Sequence, residues 1–263
     1  MLGAVISIPH CSLHVPEEIR LGAPVDVARI RSRIDYLTDR LFHIPEARCS
    51  VRAEVCRFVA DVNRPAKEIA RGIALERPAG GAEPRLTYRP LAPGEIIHRY
   101  RRYWRPYHRE FSKALADPRV RFFIDAHAME AVGPDRASDA GRGRPDFVLG
   151  NRGGADGRPA GNGRYVTAPA DWLELARETL LELFAPETIR VELNRPYAGG
   201  YITRRYGNPR RRGSKRGFQI EVNKRLYLDD AGNLLSEERC LQINECLRAL
   251  CRRLDAATVH PAI

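Results

Sequence analysis

The sequence predicts an α/β protein with a mixed, mostly parallel sheet covered by helices on both faces. Two observations carry this. Short, almost wholly apolar runs such as Ala4-Val5-Ile6-Ser7-Ile8 and Phe122-Phe123-Ile124 read as buried strands, because a strand covered on both faces needs no polar alternation. Between them lie longer segments with helical apolar spacing, and strands alternating with helices favour a covered, mainly parallel sheet. Composition agrees: 43% hydrophobic and 29% charged residues describe an ordinary globular chain, not a disordered one. The 263 residues show no internal repeat and no linker, so one domain over 1–263 is expected.

The elements follow in order. A strand at 4–9 precedes a loop containing Pro16, then a helical stretch around 26–43. Residues 51–62 read as a strand region ending in Asp61-Val62-Asn63-Arg64. Glycine, proline and charge make 71–92 a loop. A helix over 93–116 opens on Pro93 and carries Ile96, Tyr100, Tyr103, Trp104, Tyr107 and Phe111 at near-helical spacing, with Pro106 kinking or dividing it. A strand at 120–127, a polar loop at 133–143 and a short strand at 146–150 come next. Then follow a glycine-dense stretch at 153–163, a helix at 170–185, a strand at 188–193 and a loop at 195–216. A strand at 217–224 and a helix at 236–256 close the chain.

No run approaches the roughly 20 apolar residues that span a bilayer. Met1-Leu2-Gly3-Ala4 leads straight into a strand without a basic region or cleavage site, so a cytoplasmic location and no membrane partner are expected. The six cysteines lack CxxC or zinc-ribbon spacing; Cys240, Cys246 and Cys251 lie among leucines as apolar filling, and Cys11, beside His10, is expected to line a pocket, with a nucleophilic thiolate as the alternative. Net charge is +11, with only Lys67, Lys113, Lys215 and Lys224 as lysines among 44 basic residues. That skew reflects coding bias, although a basic surface still favours anionic partners.

The chemistry concentrates at strand ends. Asp125 and His127 leave the 120–127 strand on one face, so Asp125 is placed to orient the imidazole. His10 ends the first strand, and Glu221 sits between Ile220 and Val222 on a late one. A carboxylate buried among apolar neighbours is costly unless it is paired or has a task. Three polar groups on three buried strands suggest one hydrolytic site. Just before the strand bearing Glu221, Arg204 to Arg216 forms a basic run with interleaved Tyr206, Gly207 and Asn208. It reads as a solvated loop flanking a site for acidic substrates. A nucleic-acid-binding protein is the competing class, but no RRM, KH or similar signature appears.

Taken in order, the motifs resemble the N-formylglutamate amidohydrolase family. The resemblance rests on Pro9-His10-Cys11-Ser12 with Val15-Pro16, the acidic stretch Asp35 to Phe42, Asp61-Val62-Asn63-Arg64 and Pro106-Tyr107-His108. It continues through Asp125-Ala126-His127-Ala128-Met129, Arg144-Pro145-Asp146, Asn194, Pro196 to Gly200, and Gln219 to Asn223 with Leu226-Tyr227. Cys11 and Ser12 stand where the family has Ser-Gly, Ala128 where it has Ser, and Leu193-Asn194-Arg195 lacks an Arg before the Asn; these positions are expected to touch substrate.

The resemblance implies a phosphorylase/hydrolase-like α/β fold related to zinc carboxypeptidases, and zinc-dependent hydrolysis of an N-acyl amino acid, N-formyl-L-glutamate first. A carboxypeptidase-like or aspartoacylase-like hydrolase of another amide is the alternative. Catalytic zinc takes three protein ligands. His10 and His127 are two candidates and Asp35 the third, with His14, Glu17 and Asp39 as alternatives, because Leu13 occupies the position where carboxypeptidases place a Glu. Glu221 is the expected general base. Asn63 and Arg64 resemble the carboxylate-binding pair of zinc carboxypeptidases, with Arg64 also polarising the carbonyl; Asp61 would orient its neighbours. His108, Asn194, Gly199 and Gly200 are further candidates for substrate contact. A small molecule bearing a carboxylate is the expected partner; oligomeric state is not legible.

Overall fold

The structure is a computed structural model and describes residues 1–19, 30–31, 33–76, 85–135, 137–161 and 164–259. The strands are β1 (Leu2–Ile8), β2 (Ala47–Arg52), β3 (Arg71–Glu76), β4 (Arg85–Pro90), β5 (Phe122–Met129), β6 (Phe147–Gly150), β7 (Val191–Leu193) and β8 (Arg216–Asn223). The helices are α1 (Thr38–Leu41), α2 (Pro93–Arg99), α3 (Arg105–Ala116), α4 (Ala170–Phe184), α5 (Tyr201–Tyr206) and α6 (Glu237–Val259).

Six strands form one sheet in the order β2-β1-β5-β8-β6-β7. β2, β1, β5 and β8 are mutually parallel; β6 joins β8 antiparallel and pairs in parallel with β7. The predicted mixed, mostly parallel sheet is therefore present, and alternation along its strands feeds two cores. Ala4, Ile6, Phe122, Ile124, Phe218 and Ile220 pack with Trp172 and Leu180 of α4 and with Leu247 and Leu250 of α6. Val5, Val51 and Phe123 pack on the other face with Tyr107, Phe111 and Leu115 of α3 and with Ile202 and Tyr206 of α5. A Cβ on Gly217 would lie 2.4 Å from the Phe123 ring, so β8 needs glycine where that ring crosses it. Asp125 and His127 follow Phe123 on this second face, and Gln219 and Glu221 are their register partners on β8.

Strands 4–9, 120–127, 146–150, 188–193 and 217–224 and helices 170–185 and 236–256 are present, each within three residues at either end. Other segments differ. The strand expected over 51–62 starts at Ala47 and stops at Arg52, because its neighbour β1 ends at Ile8; the Ala53 N–H gives the last rung, to the Ile8 carbonyl (3.0 Å). The helix expected over 26–43 falls partly outside the described residues, and Leu37, at φ 64°, breaks its continuity just before α1. The 71–92 loop holds the antiparallel hairpin β3–β4, whose alternating Ile73, Leu75, Leu86 and Tyr88 were masked by the glycine and proline between them. Within 93–116 the chain stays helical but widens into a π turn at Tyr100–Trp104. Pro106 has no N–H to donate and its ring crowds the Arg102 carbonyl, and the wide turn relieves both. The 195–216 loop contains α5. Among the described residues, no helix is long and apolar enough to cross a membrane.

Candidate active site

His10, Asp35 and His127 meet where the chain leaves β1 after Ile8 and alongside the carboxyl-terminal part of β5, which contains His127. Pro9 carries the chain out of β1, and the Asp35 N–H donates to the His10 carbonyl (3.2 Å), which pins Asp35, three residues before α1, beside the strand end. Asp35 Oδ2 lies 2.7 Å from His127 Nδ1 and 3.3 Å from His10 Nδ1. The two imidazole centroids are 5.0 Å apart, and one potential ligand atom from each of the three buried side chains lies within 4.8 Å of the others.

The far side of each ring is also held. His10 Nε2 faces Asp61 Oδ1 at 2.8 Å, and His127 Nε2 faces Asp125 Oδ1 at 3.3 Å. Asp125 accepts hydrogen bonds from Ser7 Oγ (2.9 Å) and Thr203 Oγ1 (2.8 Å), which tie β1 and α5 to the same carboxylate. Asp61 accepts from Arg57 Nη2 (2.7 Å), Arg64 Nε (3.2 Å) and the Asn63 N–H (3.0 Å). Each imidazole thus presents Nδ1 to one centre while a carboxylate orients Nε2, the arrangement that fixes metal-ligating histidines.

Burial opposes ionisation of Asp35, but His10 and His127 outweigh it and hold the carboxyl well below the usual range. Asp61 is likewise held down against burial by Arg57 and His10. Burial disfavours a charged His127, yet Asp125 and Asp35 raise its pKa well above that of a free imidazole.

Glu221 neighbours His127 across β5 and β8 and accepts from Gln219 Nε2 (2.6 Å). Burial pushes its carboxyl up to about 8, His127 pulls down, and Asp35 and Asp125 push up again. Asn63 Nδ2 is 3.2 Å from His127 Nε2, while its Oδ1 accepts the Ile202 N–H of α5 (2.8 Å). Gly200 makes that approach possible, since a Cβ there would stand 2.3 Å from Asn63 Nδ2. The Gly200 N–H donates to Gln219 (2.8 Å), so α5 is tied to β8 as well.

Other candidates lie further out. Arg64 is half-exposed and pairs with Asp61 and with Glu68 (3.1 Å). Both His108 nitrogens are used inside the protein: Nε2 donates to the Val62 carbonyl (3.0 Å) and Nδ1 accepts from the Tyr206 hydroxyl (2.8 Å). Burial drives that imidazole down to about 3. Asn194, at φ 60°, spends its amide on Asn151 and on the Gly154 carbonyl, bracing the loop after β6. Gly199, at φ 119°, packs against Thr203. Of the alternative ligands, His14 and Glu17 are exposed and Asp39 pairs with Arg52 (2.9 Å); none joins the cluster.

The substituted motif positions do not face the cluster. Cys11 and Ala128 belong to the opposite apolar core, and Ser12 donates to the Glu54 carbonyl (2.8 Å). Burial pushes the Cys11 thiol up to about 12, with Asp39 reinforcing it, so no thiolate is available there. Arg57, not singled out from the sequence, places its guanidinium beside the cluster, 2.7 Å from Asp61 and 4.0 Å from Asp35. Its one sequence signal is its place four residues before Asp61. Gln219 could have been found as the same-face neighbour of Glu221.

A sequence model of the N-formylglutamate amidohydrolase family matches residues 2–228. The chain belongs to this family. It is 30% identical over 242 residues to an N-formylglutamate deformylase of Pseudomonas putida, covering 87% of this chain and 83% of that protein. To the N-formylglutamate deformylase of Pseudomonas aeruginosa it is 28% identical over 249 residues, covering 86% and 82%. The fold resembles the crystal structure of N-formylglutamate amidohydrolase from Ralstonia eutropha, with a TM-score of 0.75, 23% identity, and 99% and 95% of the two chains covered. A gene product of Agrobacterium tumefaciens is more distant, at a TM-score of 0.57 and 17% identity over 97% and 91% of the chains.

Proposed function

We propose that this amidohydrolase-family chain removes the formyl group from N-formyl-L-glutamate and that it uses zinc held by His10, Asp35 and His127. The observation that carries the reading is the shared centre: both Nδ1 atoms look at one Asp35 oxygen while Asp61 and Asp125 brace the opposite nitrogens. Two imidazoles and one carboxylate are a donor set that suits zinc and leaves a coordination position open. A zinc ion there would supply Lewis-acid polarisation of the amide carbonyl and of water. The similarity to two N-formylglutamate deformylases favours N-formylglutamate as substrate.

The remaining work falls to the chain. Glu221, in its ionised form, accepts a proton from the attacking water and returns it to the leaving nitrogen. Asn63 offers Nδ2 toward the reacting carbonyl, its orientation fixed by the Ile202 N–H. Arg64, half-exposed at the edge of the cluster and paired with Asp61 and Glu68, would exchange its Glu68 contact for a substrate carboxylate, and Arg57 adds positive charge behind Asp61.

A panel of N-acyl amino acids assayed with zinc and with chelator tests this. N-formylglutamate should be the best substrate, chelation should abolish turnover, and zinc should restore it. Hydrolysis indifferent to chelator would overturn the zinc assignment, and preference for another acyl group would overturn the substrate.

A further inference from the structure

A second cavity, about 370 Å³, opens on the far side of α5, between α3 and the 211–215 loop. Arg205, Arg211, Arg212 and Lys215 line it with Ser112 and Ser214, and among the described residues no Asp or Glu does. Several surface arginines pair with acids, as in Arg239 with Glu187 and Arg253 with Glu182. Among the described residues, Arg211 and Arg212 have no ion-pair partner. Arg205 lies over the Tyr201 and Tyr206 rings, and its buried Nε has no hydrogen-bond partner.

The loop is braced in place. Lys215 N–H donates to the Tyr206 carbonyl (3.0 Å), Lys215 Nζ to the Val120 carbonyl (2.7 Å), and Ser214 Oγ to the Arg211 carbonyl (2.8 Å). Four cations held around one cavity repel one another, and an anion relieves that repulsion. Guanidinium forks fit phosphate oxygens, and four positive charges suit a ligand carrying three or four negative ones. The volume matches a small molecule. Its confinement between two helices and a loop does not match an extended strand-binding groove.

We propose that this cavity binds a small diphosphate-bearing anion, anchored by Arg211 and Arg212 and separate from the His10–Asp35–His127 cluster. α5 divides the two sites: its Ile202 N–H and Thr203 hydroxyl serve Asn63 and Asp125, while Arg205 and Tyr206 line the cavity.

Calorimetric titration of the zinc-replete protein with pyrophosphate tests the proposal. One saturable site per chain is expected, with the double variant R211A/R212A weakened about tenfold or more and the exposed control R101A/R102A unchanged. Ser214→Trp, which fills the space without altering charge, should also abolish binding, and circular dichroism melts check that each variant folds. The proposal falls if no saturable binding occurs, if both double variants weaken equally, or if Ser214→Trp binds normally. It falls equally if the loop substitutions leave binding intact (as capture by the metal would), if inorganic phosphate binds as tightly, or if single-stranded RNA binds and pyrophosphate does not displace it.

Discussion

Asp35 is one carboxylate serving two imidazoles, and replacing any of the three should be felt first in metal content. H127A, H10A and D35A are each expected to purify with far less than one zinc per chain by elemental analysis, and to lose turnover with it. Glu221→Gln should behave differently: zinc retained, but kcat lowered about 10²–10⁴-fold, the usual range for a lost proton carrier. Normal zinc content and normal turnover in H127A would refute the ligand assignment. For Arg64→Ala, a raised KM for N-formylglutamate with kcat nearly unchanged is expected, as for a group that holds substrate without acting on the bond being broken. His10, His127 and Glu221 were legible because a polar side chain interrupting or ending an apolar strand stands out. Asp35 was legible only among rivals, since an acidic residue near a short helix resembles His14, Glu17 or Asp39 until the fold brings one of them beside the imidazoles. Arg57 was hidden by number, one guanidinium in a chain crowded with them.

α5 is six residues long, yet it touches Asn63, Asp125 and, through Gly200, Gln219. Gly200→Ala should push Asn63 from its place beside His127, since the new methyl would start 2.3 Å from the amide. The expected result is a lower kcat/KM and a loss of about 1–3 kcal/mol in stability, read by denaturant titration. His108 locks the same region from α3. Its imidazole stays neutral down to about 3 in the fold but would take a proton near 6.5 when free. The unfolded chain therefore binds the proton first as pH falls, so stability should decline between about 6.5 and 3 and be whole above that window. His108→Gln should flatten this dependence in pH-resolved melts; an unchanged slope would show that the acid sensitivity arises elsewhere. Neither α5 nor the β3–β4 hairpin was read from sequence. Gly199, Gly200 and Pro209 punctuate a basic stretch, and Gly80, Gly81 and Pro84 punctuate the other, so composition hid short elements that tertiary contacts or cross-strand pairing sustain.

Across the whole molecule, the sheet class followed from apolar strands alternating with helices, but strand order did not. β8 lies between β5 and β6, although the nearer sequence neighbour of β5 is β6, and the reversal of β6 and β7 has no local signal. Such pairings depend on which faces find cover, and that is decided between segments far apart in the chain. The expectation of one domain predicts a single calorimetric transition; two resolved transitions would contradict it. Zinc should raise the midpoint and a chelator lower it, with a tightly bound ion contributing about 4 kcal/mol at a thousandfold excess over its Kd. The three proposed ligands lie at positions 10, 35 and 127, whereas Glu221 and α5 belong to the last quarter of the chain. During synthesis the three proposed ligands therefore emerge from the ribosome long before Glu221, the proposed proton carrier. A polypeptide stalled or clipped before β8 would hold positions 10, 35 and 127 but lack both Glu221 and the strand that pairs with β5 along its length, so it should show no turnover.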